Sequence, residues 1–176
     1  LQRYLVENTR AGIPAIFHNE ALNGVVAPGF TSFPTAIALA ATWNTDAVEE
    51  MAQLIRHQMR TVGLTQALSP VLDVARDARW GRVHETYGED PYLASAFGVA
   101  FIRGLQGEDL DTGVIATAKH FLGYAVTDAG QNMAATAVTP RPQVLPQPKP
   151  PEESSHVQVL PPQEVLPLHR REGGRD

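Results

Sequence analysis

The most regular apolar period in the chain predicts an amphipathic helix over residues 45–62. Its apolar side chains recur at spacings of three and four residues and form one stripe, which comprises Val48, Met51, Leu54, Ile55, Met59 and Val62. Asn44 or Thr45 is placed to cap the first turn, and Gly63 follows the last one. This segment is the best-defined helix of the sequence.

A second helix is predicted to begin at Pro91 and to end at Gly107. Asp90 is the expected N-cap, and proline is favoured next to it because the first helical turn has no partners for its N–H groups. Residues 1–10 carry a shorter apolar face that ends at Gly12, which predicts a further helix there. The core-facing positions of the second helix are Leu93, Phe97, Phe101 and Leu105.

Short apolar runs around these helices predict strands. Residues 15–17 are interpreted as a buried strand, and residues 67–72 and 114–118 as two more. Residues 36–41 are too few for a period to distinguish strand from helix, and a strand is favoured. Strands that alternate with helices at this spacing indicate βαβ units and a parallel sheet.

Polar side chains follow the predicted strands. They are Glu20, Asn44, the loop after Leu72, and the pair Lys119–His120. Right-handed crossovers place the carboxyl ends of all strands on one side, and several strand ends on one face are typical of a TIM-barrel active site. A doubly wound sheet also aligns its strand ends, but no G-x-G-x-x-G turn is present to hold a pyrophosphate. The predicted fold class is α/β, as about the first half of a (β/α)8 TIM barrel.

The loop over residues 79–91 carries the densest polar chemistry. Two arginines, three carboxylates, a histidine and two aromatic rings fall within thirteen residues. No apolar period runs through them, which excludes an amphipathic helix and a half-buried strand. Such a loop after a buried strand is typical of ligand sites in α/β proteins. Composition alone favours the alternative, an ion-pair lattice that only holds the loop in shape.

Bulk composition excludes several classes of function. The chain has 176 residues, of which 43% are hydrophobic, enough for one domain of ordinary size. A net charge of −5 gives no basic footprint for nucleic acid, and no apolar run reaches the roughly 18 residues of a membrane span. The absence of cysteine excludes disulfides and thiolate metal sites. No cofactor is predicted, and the oligomeric state stays open.

The compartment also stays open. No signal peptide is visible, which slightly favours the cytoplasm, but the chain begins at Leu1 without a methionine and its true start is expected to be missing.

The chain changes character at about residue 139. Nine of its 14 prolines lie between Pro140 and Pro167, and proline removes backbone donors and clashes within a helix. The apolar residues of this region have no period that would bury them. Residues 139–176 are therefore predicted to be a proline-rich, disordered tail, and residues 1–138 to form the incomplete barrel domain.

Several motifs together resemble glycoside hydrolase family 3, in its branch of β-glucosidases and β-xylosidases. They are R-W-G-R and E-T-Y-G-E-D-P in the polar loop, G-I-P-A-I-F-H-N-E-A-L-N-G, F-P-T-A-I-A-L-A-A-T-W-N, L-S-P-V-L-D-V-A-R-D and A-T-A-K-H-F-L-G-Y. The resemblance covers residues 1–138 and implies the N-terminal barrel of that family. It also implies hydrolysis of terminal β-linked sugars with retention, by an Asp nucleophile late in the barrel and a separate acid/base.

The resemblance assigns sugar-binding positions, with a β-glucoside or β-xyloside as the expected ligand. Glu20 matches the carboxylate that accepts hydrogen bonds from hydroxyls in the −1 subsite, and Arg82 matches the arginine that donates to that sugar. Lys119 and His120 match the Lys–His pair that also forms hydrogen bonds with the hydroxyls of that sugar. Carboxylates and cations suit a sugar because its hydroxyls both donate and accept. Trp80 is a further candidate as an aromatic wall, although a packing role is favoured.

The chain departs from the family pattern at several positions. Asn44 stands where many members have a sugar-binding Asp, so the sugar preference is expected to differ. Gln131 stands where many have Arg, and Asp128 where many have Glu. After Val138 the family continues with a helix and more strands, whereas this chain becomes proline-rich. That change looks like a frameshift, a gene-prediction error or a truncation.

No catalytic residue is predicted, because the segments that bear the nucleophile and the acid/base have no counterpart here. Retaining hydrolysis needs two carboxyls about 5 to 5.5 Å apart. Asp73 and Asp77 straddle a strand end and are placed to reach the cleft, whereas Glu89 and Asp90 are interpreted as structural. The carboxylates considered are Glu20, Asp73, Asp77, Glu85, Glu89, Asp90 and Asp128.

No metal site is predicted either. His18 with Glu20, and His84 with Glu85, each provide two potential ligands, but no third ligand is identifiable. Adjacent residues on an extended strand point to opposite faces, which makes the second pair a poor chelate if that segment is extended.

Three hypotheses follow from the sequence. The first is a fragment of a retaining β-glycosidase that holds much of a sugar subsite and does not turn over substrate alone. The second is a non-catalytic sugar-binding module. The third is an aberrant truncated product without independent function, since half a barrel leaves sheet edges uncovered and favours aggregation.

Overall fold

The computed structural model describes residues 1–121 and 123–136. The predicted tail and the last two residues of the predicted domain lie outside these described residues. In chain order the elements are α1 (Gln2–Asn8), β1 (His18–Asn19), α2 (Ala36–Ala40), α3 (Thr45–Thr61), β2 (Gln66–Ala67), α4 (Pro91–Gln106) and β3 (Ile115–Ala116). Three short 3-10 turns cover Val83–Glu85, Tyr124–Val126 and Asp128–Gly130.

The strands form one parallel sheet in the order β1–β2–β3. The register pairs Gln66 of the central strand with His18 on one side and with Ile115 on the other. Beyond the strands, a parallel bridge joins Val71 to Lys119 and continues the pairing toward the carboxyl ends. The prediction of an α/β fold with a parallel sheet is confirmed, although each strand is shorter than the run that predicted it.

The helix α3 forms where the apolar stripe predicted it. The Oδ1 atom of Asn44 accepts a hydrogen bond from the backbone N–H of Ala47 at 3.1 Å and caps the first turn. The stripe is narrower than predicted, because Leu54 and Val62 are 52% and 50% exposed. Leu54 lies about 100° round the helix from the buried Ile55, and Val62 follows the last helical residue.

The helix α4 also begins and ends as predicted. The Asp90 carboxylate accepts from the backbone N–H groups of Tyr92 at 2.7 Å and Leu93 at 3.0 Å. Pro91 occupies the first turn and Gly107, with φ of 62°, ends the helix. Its face toward the core contains Phe97, Phe101 and Leu105, all buried.

The helices α3 and α4 pack directly against each other, and Gly104 makes that approach possible. A Cβ atom at Gly104 would overlap the backbone carbonyl oxygen of Glu49 and the side chain of Ala52. The core lies between these two helices, α2 and one face of the sheet, and its largest members include Ile55, Met59, Phe97, Phe101 and Leu105.

The strand favoured over residues 36–41 is wrong, because residues Ala36–Ala40 form the helix α2. Three of these five residues are alanine, which has the highest helix propensity. The buried members are Ala36, Leu39 and Ala40, at the spacing of one helical face.

The buried strand predicted over residues 15–17 is also wrong. The strand β1 is His18–Asn19, just beyond that run, and the side chains of Ile16 and Phe17 are 60% and 37% exposed. Within the part of the chain that the structure describes, β1 pairs only with β2, so this apolar run lies at an open side of the sheet. Among the described helices, none has the length and apolarity needed to cross a membrane.

Candidate functional site

Side chains that follow the three strands meet at one end of the sheet. Glu20 comes directly after β1, Arg82 lies in the loop after β2, and Lys119 and His120 follow β3. Lys119 Nζ donates to Glu20 Oε2 at 2.5 Å, and Arg82 Nη1 lies 3.3 Å from His120 Nε2. We call these four residues, which the sequence selected, the strand-end cluster.

Backbone hydrogen bonds hold the segment around Lys119 beside the segment that follows β2. Leu72 N donates to Lys119 O at 2.6 Å, and Lys119 N donates to Pro70 O at 3.0 Å. This parallel pairing carries Lys119 and His120 to the level of the polar loop, although the β3 ladder itself ends at Ala116.

Arg82 directly precedes the 3-10 turn Val83–Glu85 and is fixed by a bidentate ion pair with Glu85. Its Nε and Nη2 atoms donate to the two carboxylate oxygens of Glu85, each at 2.6 Å. This hydrogen bonding lowers the pKa of Glu85 and raises the pKa of Arg82 above its ordinary value. Arg82 therefore stays charged. Its remaining terminal nitrogen, Nη1, faces His120 and lies 3.4 Å from the Tyr124 hydroxyl oxygen.

His120 is held by the buried carboxylate of Asp73, whose side chain is 4% exposed. The Oδ2 atom of Asp73 accepts from the backbone N–H of His120 at 3.1 Å and lies 2.6 Å from Nδ1 of the ring. Both the backbone and the imidazole of His120 are thus fixed by one oxygen.

An aromatic wall supports the cluster from one side. The ring of Tyr124 packs against that of His120 at a tilt of 56°, with centroids 4.4 Å apart. The guanidinium carbon of Arg82 lies 5.4 Å from the centroid of the Tyr124 ring. The rings of Trp80 and Tyr124 are nearly perpendicular, with centroids 5.6 Å apart, and Trp80 is only 2% exposed. Its indole N–H donates to Asn132 Oδ1 at 3.0 Å, so the buried Trp80 has a packing role.

A cavity of about 420 Å³ opens beside the cluster, which lies within the usual range of about 300 to 1,000 Å³ for small-molecule sites. Glu20 and Arg82 line this cavity. Lys119 and His120 do not line it, although each contacts one of these two residues. The lining residues are Glu20, Leu22, Asn23, Thr35, Ala36, Arg82, His84 and Glu85.

Other predicted positions lie apart from these contacts. Asn44 uses its side-chain oxygen to cap α3, and Gln131 is exposed after the last 3-10 turn. Asp77 accepts from Arg79, and that hydrogen bond lowers the Asp77 pKa to about 2. Of the remaining carboxylates, Asp90 caps α4, while Glu89 and Asp128 are exposed.

The described residues contain no group of three or more side chains placed to hold a metal ion. His84 and Glu85 lie in a 3-10 turn rather than an extended strand. Each of the two carboxylate oxygens of Glu85 already accepts a hydrogen bond from Arg82.

The sequence did not identify three supports of the cluster. From the sequence, Asp73 is a candidate only for direct chemistry, Glu85 is one of several carboxylates, and Tyr124 has no predicted role. The available signals were that Asp73 directly follows a predicted strand and that Tyr124 ends the A-T-A-K-H-F-L-G-Y motif.

Comparison with known proteins gives the same family that the motifs indicate. The model of the glycosyl hydrolase family 3 N-terminal domain matches residues 1–145. A β-xylosidase from Formosa agariphila is 48% identical over 135 residues, which cover 71% of this chain and 19% of that protein. A lysosomal β-glucosidase from Dictyostelium discoideum is 32% identical, over 80% of this chain and 18% of that protein.

Several solved structures with a similar fold are β-glucosidases. One from Erythrobacter marinus has a TM-score of 0.75 and 35% identity, over 79% of this chain and 19% of its own. A mutant β-glucosidase from Listeria innocua in complex with laminaribiose has a TM-score of 0.73 and 32% identity, over 80% of this chain and 20% of its own. The chain thus spans about a fifth of the length of these relatives.

Proposed function

The chain belongs to glycosyl hydrolase family 3, and we propose that it provides sugar-binding side chains of a β-glucosidase or β-xylosidase. The whole enzyme hydrolyses terminal β-linked sugars with retention. One observation carries the proposal: Glu20, Arg82, Lys119 and His120 come from three separate strand ends and are joined by direct contacts.

The proposed setting is part of a (β/α)8 barrel. The sequential order of the parallel strands, with α2 and α3 between the first pair and α4 between the second, supports this arrangement. Barrel enzymes place their ligand sites at the carboxyl ends of the strands, which is where the strand-end cluster lies.

The cluster offers both kinds of hydrogen bond that a sugar ring needs. Lys119 and Arg82 only donate, and Glu20 only accepts when ionised. The Glu20 side chain is 53% exposed, so its carboxylate has room to turn toward an incoming ligand. A sugar hydroxyl that enters between Lys119 and Glu20 accepts from the first and donates to the second, which replaces one charge pair by two charge-assisted hydrogen bonds.

Binding without turnover is the proposed behaviour of this chain alone. The carboxylates of the site are already engaged, Glu20 by Lys119, Asp73 by His120 and Glu85 by Arg82. A glycosidase acid needs a carboxyl with a raised pKa, whereas the pKa of Glu85 is lowered. The same residues therefore favour recognition of a sugar over proton donation to its leaving group.

A calorimetric titration with xylose and glucose tests the proposal. Arg82→Met is expected to weaken sugar binding roughly tenfold or more, since a hydrogen bond to a charged group contributes about 1.5–3 kcal/mol. Arg79→Met is the matched control, because Arg79 lies in the same loop, is 70% exposed and pairs with Asp77. Lys119→Met provides a second variant in case loss of the Arg82 ion pair unfolds the loop.

Two results would contradict the proposed function. One is an absence of binding heat from the unaltered chain at high millimolar sugar. The other is hydrolysis of aryl β-glucosides or β-xylosides that persists at full rate in Arg82→Met and Lys119→Met.

A further inference from the structure

We infer that Asp73 is a positioning residue that sets the tautomer of His120 and keeps its Nε2 atom a hydrogen-bond acceptor facing Arg82. The consequence for sugar binding rests on the proposed function, whereas the tautomer itself is measurable without any sugar.

The contact with Asp73 fixes where the ring proton lies. An ionised carboxylate oxygen only accepts hydrogen bonds. The Oδ2 atom of Asp73 already accepts from the backbone N–H of His120 at 3.1 Å, and the same atom lies 2.6 Å from Nδ1. Nδ1 must therefore carry the proton that it shares with Asp73.

The contact with Arg82 leads independently to the same tautomer. A guanidinium group has five N–H donors and no acceptor. Arg82 Nη1 lies 3.3 Å from His120 Nε2, and this contact is a hydrogen bond only if Nε2 keeps its lone pair. The Tyr124 ring, 4.4 Å from the imidazole between centroids, holds the ring in the orientation that serves both contacts.

This arrangement gives Asp73 an indirect function. Its side chain is 4% exposed. Within residues 1–121 and 123–136, both hydrogen bonds of this side chain go to His120, so Asp73 acts on the site through that residue. Without the carboxylate, the ring proton is free to move to Nε2. Two N–H donors, one of His120 and one of Arg82, would then face each other, and the two side chains would separate. With the carboxylate, Nε2 is ready to accept from Arg82 or from a ligand hydroxyl.

The test is a nitrogen-15 NMR measurement of the imidazole in the full chain. We expect a protonated Nδ1 and an unprotonated Nε2 in the unaltered protein, with the resonances assigned through their loss in His120→Gln. Asp73→Ala is expected to move the proton largely to Nε2, and Asp73→Asn, which keeps the shape but loses the charge, to give an intermediate population. Asp77→Ala, which removes a carboxylate paired with Arg79, should leave the His120 resonances unchanged.

The inference is overturned if the unaltered protein carries the proton on Nε2, or if both Asp73 variants keep it on Nδ1. A parallel xylose titration separates this result from the proposed function. If the tautomer responds and the unaltered chain binds no sugar, the inference about Asp73 stands and the proposed function fails. If sugar binds and the tautomer does not respond, only the inference fails.

Discussion

At the scale of single residues, the bidentate pair between Arg82 and Glu85 determines where the cluster directs its free guanidinium nitrogen. Glu85→Gln is expected to lower the free energy of unfolding at pH 7 by roughly 1 kcal/mol, a value discounted for partial exposure to solvent. The pKa of Glu85 is lowered in the folded chain, by hydrogen bonding to Arg82 above all. The contribution of the pair is therefore full above the ordinary value of 4.5 and is lost as the pH falls through the folded pKa.

Urea unfolding at pH 7 and pH 3 measures this loss. The gap between the unaltered chain and Glu85→Gln should shrink at the lower pH. Glu89→Gln, in the same loop but exposed, is the control and should change stability by less than about 0.5 kcal/mol at either pH. An equal gap for Glu85→Gln at both pH values would contradict the assignment of the stabilisation to the ionised pair.

The sequence predicted which residues form the cluster better than it predicted their partners. Glu20, Lys119 and His120 lie within a few residues of the ends of predicted strands, so their common end of the sheet could be derived from topology. The contact of His120 with Asp73 spans 47 positions and depends on how the segments after β2 and β3 align. Spacing along the chain does not encode that register.

At the scale of elements, helix boundaries were predicted well because their chemistry is local. The caps of α3 and α4 involve side chains within three residues of the helix start. Strand boundaries depend on pairing with distant segments, which explains why β1 is His18–Asn19 and not the apolar run 15–17 just before it. The helix α2 was misassigned because five or six apolar residues show no period, and its three alanines were the usable signal.

The packing of α3 on α4 gives a prediction for two glycines of the same helix. Gly104→Ala is expected to destabilise the fold by about 1–3 kcal/mol, because the new methyl group meets the backbone of Glu49 and the two helices must separate. The gain of about 1 kcal/mol in helix propensity offsets part of this cost. Gly98→Ala is the matched control, since its methyl group meets only the movable end of the Leu72 side chain. Thermal unfolding followed by circular dichroism measures both, and equal effects would contradict the close-packing argument.

At the scale of the whole molecule, the α/β class and the parallel order were predictable because alternation and handedness constrain the topology. The sequence did not predict which apolar residues of the sheet are exposed to solvent. Ile16, next to β1, and Ile115, in β3, are 60% and 38% exposed. Within the described residues, the outer edges of β1 and β3 have no strand partner. The buried strand expected over residues 15–17 fails for this reason, since burial there requires a covering element that the periodicity does not reveal.

These open edges predict self-association of the chain. Unpaired N–H and C=O groups beside exposed aliphatic side chains form a template for another strand, so the mass measured by sedimentation should rise with protein concentration. Ile16→Lys places a charge beside the β1 edge and is expected to raise the midpoint concentration of association several-fold, with little change in thermal stability. Leu54→Lys removes an aliphatic residue that is 52% exposed and should leave the midpoint unchanged, because Leu54 belongs to the helix α3 and not to a strand. A chain that stays monomeric throughout, or two lysine variants with equal effects, would show that the sheet edges do not drive association.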